Sequence, residues 1–185
     1  MDLKICMRHF PFIVLAAVMV LTSCNPTVQF SEPMPPGRLN LPNIPKAMRG
    51  VIADDGDKTV IGKDTLWIGD DVLVNGEDFL LRRMAGHIMM NKRVAETGHW
   101  EVLAIRKTKD SMYLCQFDDD SEFVQRTTAL LEVAPETLTT EGKPGYKYSL
   151  LSPSAKEFKQ LLQARLYSED EEGACLLPKG GEVRP

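Results

Sequence analysis

The chain has 185 residues, four cysteines and a formal net charge of −4 at neutral pH. That acidic balance argues against a nucleic-acid partner, which calls for a basic patch. The length suits one domain with a real core, and no apolar run is long enough to cross a bilayer as a helix.

The first element is a charge-free stretch from Phe10 to Ser23, preceded by Lys4, Arg8 and His9. Its fourteen residues would reach roughly 21 Å as a helix, short of the ~30 Å hydrocarbon core. A basic start, a short apolar run and small residues before a cut site describe a secretory signal peptide over residues 1–23. The tetrapeptide Leu21-Thr22-Ser23-Cys24 resembles the lipobox of bacterial lipoproteins, in which an aliphatic and two small residues precede a cysteine. The resemblance implies that the Cys24 thiol receives a diacylglyceryl group and becomes the new N-terminus after cleavage. The plainer alternative is an ordinary secretory signal with Cys24 placed by accident. Two or more acyl chains would anchor the protein stably, whereas one would not. Losing Lys4, Arg8 and Asp2 from 22 basic and 26 acidic residues leaves 20 and 25, a net charge of −5.

Residues 24–45 carry six prolines, which favour an extended, polyproline-like membrane tether over helix or sheet. We expect its first half to be mobile. Leu39, Leu41 and Ile44 in its second half are candidates to dock onto the domain as a strap.

A single globular domain is expected over 46–178. From Gly50 the pattern becomes short alternating runs broken by turn residues: VIAD, KTVI, TLWIG, VLV, DFLLRR, HIMMNK, HWEVLAIRK and SMYLCQF. Asn75-Gly76 is the strongest hairpin signal among the breaks, because both residues accept positive φ. Connections this short permit antiparallel pairing only, so the expectation is a curved meander, or partial barrel, of about eight strands.

Phe123, Thr127, Leu130, Leu131 and Ala134 fall at helical spacing ahead of Pro135, although β-branched neighbours weaken that helix. Residues 136–145 read as a loop and YKYSLL as a strand. SPSAKEFKQLLQARLY is the clearest helix, with Ser154 and Glu157 as a capping box and Ala155, Phe158, Leu161, Leu162 and Leu166 as one stripe. ACLLP reads as a last short strand and 179–185 as a flexible tail. The fold class expected is therefore α+β, a curved antiparallel sheet covered by one or two C-terminal helices.

Cys115 and Cys175 are a candidate disulfide pair in an oxidising compartment. Such a bridge would close a loop of about sixty residues and contribute roughly 4 kcal/mol in the chain-entropy model. Two buried thiols are an equal alternative.

Motifs for chemistry are sparse. GDKTVIGKD has five residues between its glycines and an Asp after Lys63, so it lacks the P-loop pattern and no nucleotide is expected. His87 and His99 stand without zinc-ligand spacing. Neither acidic cluster, 54–57 or 118–122, supplies all three of the alternate oxygens, central glycine and closing Glu of a calcium loop. His99-Trp100-Glu101 is the most site-like triplet, but alternation turns Trp100 to the core and its neighbours outward. We expect no enzymatic activity, no cofactor and no metal.

The lipobox, the proline-rich spacer ending in NLPNIPKAMRG and the β-rich domain together resemble small lipoproteins of Bacteroidota-type bacteria. The resemblance implies an envelope address and no particular activity. Asn25 to Gln29 carry no acidic residue and Glu32 is the first, so outer-membrane anchoring with the domain facing the periplasm is expected. Two functions compete on these residues. One is an interaction or accessory module docking onto an envelope protein complex. The other is a binder of a lipid or other apolar ligand, with Met84, Met89, Met90 and Met112 as a deformable lining.

Overall fold

The computed structural model describes residues 28–54, 57–107, 111–117, 121–139 and 147–164, with the strand backbones at 168–169 and 175–176. The fold is α+β, and neither of its sheets closes on itself.

After β1 (Val28–Phe30), which belongs to the second sheet, the first sheet is a four-stranded meander in which β2 (Gly50–Asp54), β3 (Asp57–Ile61), β4 (Thr65–Ile68) and β5 (Asp71–Val74) pair in chain order. Each connection is too short to do anything but reverse the chain. Ile68 faces Asp71 across a two-residue turn in which Gly69 adopts φ 59°, a region that glycine enters without steric cost.

The second sheet has nine strands. Its central run is β6 (Phe79–Met84), β7 (His87–Arg93), β8 (Trp100–Lys107) and β9 (Ser111–Gln116), again antiparallel neighbours. The eight segments from VIAD to SMYLCQF are thus all strands, but they divide between two sheets and do not form one curved meander. Asn75-Gly76 marks the division. It carries the chain from the first sheet into the second, with Gly76 at φ 97° and its N–H donating to the Phe79 carbonyl at 2.7 Å.

β1 (Val28–Phe30) completes the second sheet. It pairs in parallel with β11 (Lys147–Leu151) and meets β8 antiparallel at Phe30–Trp100. β10 (Glu136–Thr139) adds to the far side of β11, where a loop was expected. β12 (Ser168–Glu169) and β13 (Cys175–Leu176) both pair with β9. β8 therefore shares one long edge between two partners, β9 from Leu103 to Lys107 and β1 at Trp100.

The helices are α1 (Ser121–Thr128) and α2 (Ala155–Gln163). α1 stops at Thr128, short of the Ala134 that the sequence spacing suggested. α2 starts as expected: the Ser154 side chain accepts from the Glu157 N–H, and the Glu157 carboxylate accepts from the Ser154 N–H at 2.8 Å.

Alternation along the central strands builds two cores, one on each face of the nine-stranded sheet. Met89, Val102, Ala104, Cys115 and Phe117 join Phe158, Leu161 and Leu162 of α2 on one face. Ile88, Met90, Ile105 and Met112 join Ile61 of the small sheet, Ile44 of the strap and Met48 just after it on the other. The result is three layers, helix, sheet and sheet. Phe30, Phe117 and Phe158 form a triangle of rings with centroids 5.4 to 5.9 Å apart, which joins β1, the end of β9 and α2.

The first half of the proline-rich segment, expected to be mobile, is folded among its described residues, from Val28 onward. Val28, Gln29 and Phe30 are buried, and so are Met34 and Ile44. The Leu41 N–H donates to Leu81 at 2.7 Å and Ile44 to Lys63 at 2.7 Å. Arg82 holds the proline-rich turn by donating to the carbonyls of Pro33 and Pro35 and to Asn40 Oδ1. Leu39 does not dock: it is 91% exposed. Residues 28–45 are thus packed with the globular body. The physical reason is that the prolines sit where no ladder bond is required, while Val28–Phe30 between them supplies strand-forming, apolar residues.

Candidate functional site

Cys24 and the rest of the signal region lie outside the described residues, as do both the acidic run 118–120 and the tail 179–185. The other expected site residues can be placed. Cys115 is buried in the helix-side core, with Sγ 3.9 Å from the Tyr113 carbonyl oxygen. The register sets Cys175 opposite Met112 and Cys115 opposite Glu169. Three residues along a strand span about 10 Å, beyond the ~7 Å Cα separation that a disulfide tolerates. In this register the two cysteines do not meet.

His99, Trp100 and Glu101 divide as alternation requires. Trp100 packs against the helix-side core. His99 and Glu101 point to the opposite face, but they are not simply exposed there. His99 Nδ1 and the Tyr148 hydroxyl share a 3.1 Å hydrogen bond, with the rings 5.8 Å apart. Next to them, the Thr97 hydroxyl donates to Gln29 Oε1 at 2.6 Å, and the His99 N–H donates to the Thr97 hydroxyl at 3.3 Å. Gln29 is fully buried, and its Nε2 finds no acceptor among the described residues. By the Phe30–Trp100 pairing, Glu101 stands beside Gln29 on the neighbouring strand, with Lys92 on its other side.

These residues form a polar seam along β1. Burial pushes the Glu101 carboxyl above its ordinary pKa, Lys92 opposes that shift and Glu96 adds to it. Burial likewise raises the Tyr148 phenol, reinforced by the charge of Glu136. In this seam burial disfavours the charged forms of both Glu101 and Tyr148. The seam's hydrogen bonds run between strands, however, and their immediate effect is to fix β1 in place. Sequence reasoning found the His-Trp-Glu triplet but not Gln29, Thr97 or Tyr148. The one local hint was a glutamine between two apolar residues in VQF.

His87 is buried in the tight turn between β6 and β7, where its Nδ1 donates to the Ala85 carbonyl at 3.0 Å. Asp54 and Asp57 face each other at the β2–β3 reversal. Among the described residues no group of three or more His, Cys, Asp or Glu side chains is placed to hold a metal ion, and no helix is long and apolar enough to cross a membrane.

A second surface feature lies on the outer face of the small sheet. Val51, Val60, Trp67 and Val72 stand directly opposite one another across all four strands. Trp67 is 40% and Val72 53% exposed. Trp67 is held close to the backbone: a Cβ at Gly62 would lie 2.6 Å from its ring. Two exposed residues thus continue a row begun by two half-buried valines.

No family model, curated protein or solved structure matches this chain.

Proposed function

We propose that the protein is a lipid-anchored lipoprotein of the bacterial cell envelope, carried on the outer membrane with its domain facing the periplasm. In this reading it has no enzymatic activity and serves as an interaction or accessory module of an envelope complex. The single observation that carries the reading is the tetrapeptide Leu21-Thr22-Ser23-Cys24 after a short charge-free run. Two or more acyl chains on Cys24 hold a protein stably at a bilayer. The apolar row ending at Trp67 and Val72 supports a protein-contact role, since aromatic residues are enriched where partners meet. Lipid binding within the sheet gains no comparable support. Met84 and Met89 belong to the helix-side core and Met90 and Met112 to the other, all of them buried as packing.

The test is Cys24→Ala followed by cell fractionation. The variant should leave the membrane fraction; sedimentation like the parent would defeat the anchoring. Crosslinking in intact cells should then recover a heteromeric adduct that Trp67→Ala weakens.

A further inference from the structure

The buried strand β1 begins very close to the proposed lipid. Only Asn25, Pro26 and Thr27 separate Cys24 from Val28, and Val28 is a fully integrated sheet residue, 2% exposed and paired with Ser149. Four residue steps extend at most about 14 Å, whatever path they take. A free spacer of twenty-two residues would instead reach ~70 Å. A domain of about 140 residues has a radius of gyration of about 14 Å and is roughly 35 Å across. Such a leash is less than half the width of the body it restrains.

We infer that the folded domain lies directly on the bilayer surface, with the side on which β1 and β11 start turned toward the lipid headgroups. This rests on acylation of Cys24. The occupant of that face is the membrane because the chain leaves the domain there and has no length to go elsewhere. The parallel register puts the start of β11 beside the start of β1, and its first residue, Lys147, is exposed. Thr139, the last residue of β10, is paired with Lys147 at the same end. The β7–β8 turn, with exposed Ala95, lies at the opposite end, beyond the Phe30–Trp100 pair. A partner reaching this protein from the periplasm would therefore meet the β7–β8 end and not the β11 start.

The experiment uses the acylated full-length protein in vesicles of phosphatidylethanolamine and phosphatidylglycerol that carry a headgroup-linked acceptor dye. A donor dye is placed by a clickable residue at position 147 or at position 95. Intact mass first establishes the acyl chains. Energy transfer should be stronger from 147 than from 95, and a Gly-Ser spacer inserted between Cys24 and Asn25 should abolish the difference. Acylated protein with equal transfer from both positions would overturn the surface placement and leave the anchor standing. A protein bearing no acyl chain would overturn both.

Discussion

Asn91 grips the peptide of Met34 from both sides. Its Oδ1 accepts from the Met34 N–H at 2.6 Å, and its Nδ2 donates to the Met34 carbonyl at 3.0 Å and to Leu80 at 3.2 Å. Both residues are wholly buried. A single amide thereby stands in for the ladder bonds that a strand would have offered to the proline-rich segment. Asn91→Ala leaves a buried donor and acceptor unpaired, and should cost roughly 2–4 kcal/mol of stability. Urea melts of the two proteins check this; a loss under half a kilocalorie would show that Met34 finds other partners.

Among the described residues, β1 is the only strand linking β11 to the central run of the large sheet. A fragment beginning at Val28 should unfold in one cooperative transition. A fragment beginning at Lys46 lacks both β1 and the strap, and should lose that transition. Thermal unfolding followed by far- and near-UV circular dichroism compares them directly, since coincident transitions mark cooperative folding.

Glu101 gives stability a pH slope of definite sign. Its folded-state pKa is raised, so the native protein binds more protons than the unfolded chain between the ordinary glutamate value and the raised one. Its contribution is most favourable below that window and is lost as pH rises through it. Glu101→Gln should flatten the slope and make the protein more stable than its parent at neutral pH. Melting temperatures measured across the acidic range test this, and a steeper slope in the variant would contradict it.

Met84 and His87 flank the two-residue turn Ala85-Gly86, in which both residues have positive φ, 49° and 83°. Gly86 bears this at no steric cost, whereas Ala85 does not. Asparagine suits the first position of such a turn. Ala85→Asn should therefore raise stability by roughly 0.5–1 kcal/mol, read as a shift in the denaturation midpoint at constant slope.

The register of β13 makes a further expectation simple. Unfolded, unreduced domain from Val28 to Pro185 should titrate two thiols, at Cys115 and Cys175. Zero thiols would mean that β13 pairs with β9 in a different register.

Much of this architecture was legible before any coordinates. Every run between Gly50 and Phe117 that alternates and ends at a turn residue is a strand, because each hairpin is a local decision. The division into two sheets was not legible. His87 to Asn91 are buried at five successive positions, so alternation there distinguishes two cores and not inside from outside. β10 was missed because ETLT is polar and pairs on an edge, and β1 because three residues among prolines carry too little pattern. The polar seam shows the same limit: His99-Trp100-Glu101 is contiguous, but Gln29 lies 68 residues from Thr97 and Tyr148 lies 49 from His99. Only the fold brings them together.

The placement of β1 also sets an order of events. β1 must wait for β8 and then for β11, which is synthesised more than a hundred residues later, before its own backbone is satisfied. Distant pairings close slowly, because loop entropy is lost before any contact returns it. The hairpins between Gly50 and Gln116 can assemble as they appear, and the large sheet gains β1 between β8 and β11 only once β11 has been made.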